Sequence, residues 1–189
     1  DRLPVDPVAP ELMMRPLDET PELPAADVIA FGPGLGQQEL AGKLLRQVAA
    51  LPQPLVLDAD ALNLLAGDPD AAERLRRRAS PAVLTPHPAE AARLLQTDTA
   101  AVQRDRVGHA RALAARYRCV AVLKGAGSLI ARPDGYYLLN ASGGPELAAA
   151  GQGDVLTGLI AALLAQGLPP FEAAALAVHA HGLAGDGYR

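Results

Sequence analysis

The chain has 189 residues, half of them apolar and a fifth charged, with a formal charge of -4 at pH 7. A chain of this length buries roughly 70% of the surface its unfolded form exposes, which is enough for one domain with its own core. The acidic balance argues against a general nucleic-acid binder, which needs a basic surface to displace counterions from phosphates. The longest apolar stretch, Val155 to Leu164, is interrupted by Thr157 and Gly158 and falls short of the roughly 20 residues that cross a bilayer.

The chain opens on Asp1, not methionine, and a proline-rich, weakly periodic lead-in runs to Pro24. No basic n-region with an apolar h-region marks a secretory signal there. The chain reads as part of a longer protein. Beyond the lead-in, short β-type apolar runs alternate with alanine- and leucine-rich helical stretches, the pattern of βα units around a mainly parallel sheet. Strands are predicted at 27 to 31, 54 to 57, 82 to 84 and 119 to 123. The last of these holds Cys119, the single cysteine, which has no partner for an intrachain disulfide and fits a reducing cytoplasm. Two more strands, 128 to 131 and 136 to 139, flank Arg132-Pro-Asp-Gly135 and should form an antiparallel hairpin around that turn. Helices are predicted at 37 to 50, 60 to 66, 70 to 78, 88 to 95, 100 to 116, 154 to 166 and 171 to 187. Gly167, Pro169 and Pro170 end the 154 to 166 helix, which has almost no polar face and should be buried on most sides.

Loops that follow parallel strands gather at one edge of the sheet, where ligands bind. The first strand runs into Gly32-Pro-Gly-Leu-Gly36, the second into Asp58-Ala-Asp-Ala-Leu-Asn63, the third into Thr85-Pro-His-Pro-Ala-Glu90, and the fourth into Lys124-Gly-Ala-Gly-Ser128. Each has an ordinary reading beside a functional one. Gly32 to Gly36 serves equally as a tight strand-to-helix turn, and it is neither a Walker A loop nor a Gly-x-Gly-x-x-Gly fingerprint. Lys124 is a solvated strand-end lysine or a ligand contact. His87, stiffened between two prolines, is a cap or a site residue. Asp58 and Asp60 can hold Mg²⁺ through water or cap the next helix, with Asp60 the better cap and Asp58 the better metal-side residue. His179 and His181 lack a partner at zinc-ligand spacing and read as structural.

Gly151-Gln-Gly-Asp154 directly precedes the apolar helix, where free N–H groups and the positive end of the helix dipole attract an anion. Asp154 is expected at the N-cap, and alone this segment could be a cap and nothing more. The small residues Ala148 to Ala150 before it present backbone and little side chain.

Taken in chain order, Phe-Gly-Pro-Gly-Leu-Gly, Leu-Asp-Ala-Asp-Ala-Leu-Asn, Leu-Thr-Pro-His-Pro-Ala-Glu, Val-Leu-Lys-Gly-Ala-Gly-Ser and Gly-Gln-Gly-Asp-Val-Leu-Thr-Gly closely resemble the ADP- or ATP-dependent NAD(P)H-hydrate dehydratases of the ribokinase-like superfamily. Pro10 to Met14 also looks like a family segment. The resemblance implies an α/β fold, a ribokinase-like three-layer α/β/α sandwich with a mainly parallel central sheet. It implies a single domain over residues 1–189 that lacks the family's N-terminal strand-helix segment and C-terminal helix. The implied reaction returns the S form of hydrated NADH or NADPH to NADH or NADPH, with ADP or ATP and Mg²⁺ as cofactors. The nucleotide activates the ring hydroxyl by phosphorylation before elimination.

Carried over residue by residue, the resemblance makes Asp154 the catalytic proton acceptor at that hydroxyl. The amides of Gly151, Gln152 and Gly153 would form the anion hole. Lys124, Gly125, Ala126, Gly127 and Ser128 would line the nucleotide, and Gly36 and His87, with Asp154, would contact the hydrated dinucleotide. Asp58 remains the metal-side residue. A cytoplasmic homo-oligomer, a tetramer, is implied, with small-molecule partners and neither nucleic acid nor membrane. The sequence departs from the family at Gly144, Glu146, Ala150 and Gln152; the acid at 146 would add charge near phosphates, and the extra side chains would narrow the loop. A ribokinase-like small-molecule kinase and a catalytically weak nucleotide-binding regulatory module remain as alternatives.

Overall fold

A computed structural model describes Leu23 and residues 25–187; the proline-rich lead-in up to residue 22 and the Pro10 to Met14 segment lie outside the described residues. Six strands form one sheet in the order β1 (Ile29–Phe31), β2 (Leu55–Leu57), β3 (Ala82–Leu84), β4 (Val120–Leu123), β5 (Leu129–Ala131), β6 (Tyr137–Leu139). The first four are parallel and the last two antiparallel. The hairpin predicted around Arg132 to Gly135 joins β5 to β6.

Because the parallel strands are laid down side by side in chain order, right-handed crossovers carry every connecting helix to one face of the sheet. These helices are α1 (Glu39–Val48), α2 (Asp60–Gly67), α3 (Pro69–Arg76), α4 (Pro88–Leu95), α5 (Thr99–Arg104) and α6 (Arg106–Tyr117). The opposite face is covered later in the chain by α7 (Gln152–Ala165) and α8 (Pro170–Asp186). Strand residues alternate between the two layers, as their period of two requires. Leu55, Leu57, Leu84 and Leu123 join the core under α1 to α6. Val56, Val83, Val120, Val122 and Ile130 pack with Leu156, Ile160 and Phe171 of α7 and α8. Sheets buried on both faces read as continuous apolar runs, which is why these strands stood out in the sequence. Cys119 is buried immediately before β4, and burial raises its thiol pKa far above the ordinary value.

Three expectations need correction. The helix predicted over 100 to 116 is two helices, broken at Asp105 (φ -136°, ψ 71°), whose side chain accepts from Gly108 N at 2.8 Å and caps α6. Next, α7 starts at Gln152, with Gly151 (φ 85°) as its N-cap, so Asp154 is its third residue and not its cap. Finally, α7 is not buried on most sides: Leu156, Thr157, Ile160 and Leu164 face the core, whereas Val155 is 57% exposed. Among the described residues no helix is long and apolar enough to cross a membrane.

Candidate active site

At the carboxyl edge of the sheet, Asp58 follows β2 and is 1% exposed. One of its oxygens accepts from Lys124 Nζ at 2.7 Å and the other from Thr157 Oγ1 at 2.8 Å. Two strand ends and the first turns of α7 are thereby pinned to one carboxylate. A buried pair of this kind is costly to break, at about 3 kcal/mol or more, because removing one partner leaves the other charge uncompensated. Where Asp58 was expected on the metal side, both of its oxygens are engaged by protein donors. Among the described residues no three His, Cys, Asp or Glu side chains cluster as a metal cage.

Lys124 is aimed by this bond beneath the start of α7. A Cβ on Gly153 would lie 3.3 Å from Lys124 Nζ and 3.5 Å from Asp58 Oδ2, so glycine is what lets the helix N-terminus sit directly on the ammonium group. The positive end of α7 and a lysine cation thus converge on one point. Asp154, also in the first turn, is exposed and accepts no hydrogen bond from any described residue.

His87 caps α4 through a reciprocal capping box. Its Nδ1 accepts from Ala89 N (3.1 Å) and Glu90 N (3.3 Å), while Glu90 Oε2 accepts from His87 N (2.8 Å). Because Nδ1 is an acceptor, the neutral ring carries its proton on Nε2, which lies 3.3 Å from Glu90 Oε1. Burial, reinforced by Lys124 and Arg93, lowers the His87 pKa from 6.5. Burial raises that of Glu90 from 4.5. The cap and the site readings of His87 are therefore compatible: one nitrogen holds the helix and the other is left as a donor.

Asp60, expected to cap α2, is its first residue and reaches back instead to the first loop. It accepts from Gly36 N at 2.9 Å and Gln37 Nε2 at 3.2 Å, and so fixes Gly36. A cavity of about 460 Å³ opens beside Lys124, within the size range of small-ligand sites. Lys124 to Ser128, Gln152 and Gly153 line it, as do Asn140, Ser142 to Pro145, Leu147, Ala148 and, from α7 and α8, Leu156, Val178, His181 and Gly182. Gly36, His87, Gly151 and Asp154 lie outside that lining. Among the departures, Gly144 lines the cavity and Glu146 does not.

His181 was read as structural, yet it walls the cavity and its Nε2 lies 3.0 Å from Gln152 Oε1. Burial lowers its pKa from 6.5. Asn140 and Ser142 also went unnoticed in the sequence; they hydrogen-bond each other, and Ser142 Oγ donates to His179 O at 3.1 Å, tying the segment after β6 to α8. The signal for Glu90 was present, since Pro at the first helical position followed by Glu at the third is a capping pattern.

The sequence profile described as NAD(P)H-hydrate dehydratase (Carb_kinase) matches residues 3–189. The bifunctional NAD(P)H-hydrate repair enzyme of Escherichia coli is 48% identical over 94% of this chain and 34% of its own length. An ADP-dependent (S)-NAD(P)H-hydrate dehydratase of Neisseria meningitidis is 43% identical over 98% of this chain and 64% of its own. The chain thus spans between a third and two thirds of these relatives. A crystal structure of the ADP/ATP-dependent NAD(P)H-hydrate dehydratase of Bacillus subtilis, co-crystallised with ATP/Mg²⁺ and soaked with CoA, superposes with a TM-score of 0.72 at 37% identity. The superposition covers 83% of this chain and 55% of that one. The architecture is ribokinase-like. With a family profile that matches residues 3–189 and a relative 43% identical over 98% of its length, the chain belongs to the NAD(P)H-hydrate dehydratase family.

Proposed function

We propose that residues 1–189 form a single ribokinase-like domain that returns the S form of hydrated NADH or NADPH to NADH or NADPH, with ADP as the preferred nucleotide and ATP as the alternative. The observation that carries this reading is the start of α7, where the amides of Gly151 and Gly153, which meet no acceptor among the described residues, and the Lys124 cation meet next to an exposed carboxylate, Asp154. The nucleotide transfers its terminal phosphoryl group to the ring hydroxyl and departs one phosphate shorter; the oxygen then leaves as phosphate as the carbon–oxygen bond breaks, and the neighbouring ring carbon gives up a proton to solvent as the double bond forms. Asp154 accepts the hydroxyl proton as that oxygen attacks. The amides of Gly151, Gln152 and Gly153, backed by Lys124, stabilise charge on the phosphoryl oxygens, which is the main task in such transfers. Lys124 to Ser128 hold the nucleotide, and Gly36 and the Nε2–H of His87 orient the hydrated dinucleotide.

Mg²⁺ fits this arrangement as a cation carried chiefly by phosphates and water. Asp58 stands behind Lys124 and serves it as a second-layer partner. A homo-oligomer, tetrameric by resemblance, and a cytoplasmic location complete the reading. Exposed Val155, Leu176 and Leu183 on α7 and α8 supply apolar surface for self-association.

Recovery of NADH absorbance from its hydrate, followed with ADP and then ATP, tests the reaction. Asp154→Asn should lower kcat by about a hundredfold or more, the range for loss of a positioned proton acceptor, while leaving nucleotide binding intact. Recovery without any nucleotide, or undiminished in Asp154→Asn, would overturn the mechanism.

A further inference from the structure

The break at Asp105 places Arg106 as the first residue of α6, where its side chain reaches across to the loop after β4. One guanidinium nitrogen, Nη2, donates to three carbonyls of that loop: Leu123 O (3.3 Å), Lys124 O (3.3 Å) and Gly127 O (3.2 Å). The other, Nη1, donates to Gln103 Oε1 at 3.0 Å. Ser128 Oγ donates to the remaining carbonyl, Gly125 O, at 3.1 Å. Every carbonyl from Leu123 to Gly127 except that of Ala126 is therefore held by a side chain.

The amides behave in the opposite way. Those of Gly125, Ala126 and Gly127 meet no acceptor among the described residues. Gly125 (φ 132°) and Gly127 (φ 64°) adopt conformations that side chains resist, and a Cβ on Gly125 would lie 3.1 Å from Arg106 Nη1. Successive free N–H groups in a turn with such φ values make an anion-binding concavity, and the same residues line the cavity described above. Among the described residues Arg106 is held by carbonyl and amide oxygens and not by a carboxylate, so a formal positive charge stands directly behind this loop.

We propose that Arg106 is a positioning residue for the nucleotide: by gathering the loop's carbonyls on one side it turns the loop's amides toward the cavity, and it adds a cation behind phosphate groups it does not touch. The proposal rests on the cavity being the nucleotide site. Its consequence is selective. Arg106 governs nucleotide affinity, whereas the hydrate is contacted elsewhere, from Gly36, His87 and Asp154.

The test is ADP affinity by isothermal titration of the intact protein, with no hydrate present, for wild type, Arg106→Met and Arg106→Lys. Methionine keeps the packing of the side-chain stem but donates nothing. It should weaken ADP binding by about tenfold or more, lysine should restore part of that loss through one charge-assisted bond, and hydrate KM at saturating ADP should stay within about twofold. ADP affinity unchanged in Arg106→Met would overturn the proposal, as would equal weakening for ADP and hydrate in step with a lowered Tm. If the methionine variant does not fold, the lysine variant decides by the same comparison. Wild type that binds ADP without restoring NADH would sink the dehydratase reading and leave Arg106 still testable. Wild type that binds neither ADP nor ATP would sink both.

Discussion

His87 shows how one side chain serves two ends. Its Nδ1 must stay unprotonated to accept from Ala89 N and Glu90 N, so protonation there removes the cap of α4 while Nε2–H stays a donor, now on a charged ring. With the folded pKa below the ordinary 6.5, the unfolded chain takes up the proton first as pH falls. The ring's contribution to stability is therefore complete above 6.5 and is lost as pH drops toward the lowered folded value. NMR titration of the ring should place its midpoint below 6.5, with the Nε2–H tautomer at neutral pH. Replacing His87 by asparagine, a good cap without a titrating ring, should flatten that part of the pH dependence of unfolding; a ring titrating above 6.5 would contradict the assignment. The comparison isolates His87 from Glu90, whose carboxyl burial shifts upward from 4.5.

At this scale the sequence was legible wherever chemistry is written in residue type. Lys124, His87 and the Gly151 to Asp154 turn could be picked out because glycine, proline and a charge coincide at strand ends. Arg106 could not. It acts on backbone carbonyls up to 21 residues away, and carbonyls carry no signature in a sequence. Asp60 was misread for the related reason that its target, Gly36 N, is a backbone atom 24 residues earlier.

Among the elements, the region after α4 is the informative case. A continuous helix from 100 to 116 satisfies composition and apolar spacing, yet α5 and α6 are separate, each opened by an aspartate: Asp98 accepts from Ala101 N at 2.7 Å and Asp105 from Gly108 N at 2.8 Å. Both are aspartates at preferred cap positions, and Asp105 was hidden because it sits inside an otherwise helical run. Asp105→Ala should cost about 1 kcal/mol by chemical denaturation, the usual worth of such a cap. It should also weaken ADP binding, because a continuous helix would carry Arg106 away from the loop. A loss of stability with ADP affinity intact would separate the cap from the loop. The start of α7 likewise lies two residues earlier than expected, since a left-handed Gly151 takes the capping place that aspartate usually holds.

Over the whole molecule, strand order and helix placement followed from the alternation of apolar runs, because sequential parallel strands with right-handed crossovers leave few other arrangements. What the pattern did not reveal is how the two faces differ. Among the described residues six α-helices share one face and two the other, and the latter pair includes the helix that opens at the Gly151 to Asp154 turn.

The buried cysteine immediately before β4 makes the molecule a quiet background for chemical labelling. Cys119 is the chain's one thiol and is sealed inside the fold with its ionisation suppressed, so the nucleophilic thiolate is scarce in the native state. A chromogenic disulfide reagent should react with native protein only as fast as the chain opens, and stoichiometrically in denaturant; rapid modification under native conditions would show that the β4 core is not closed. A cysteine introduced on the exposed face of α7 could then carry a spectroscopic reporter beside the site with no second attachment point to confuse it.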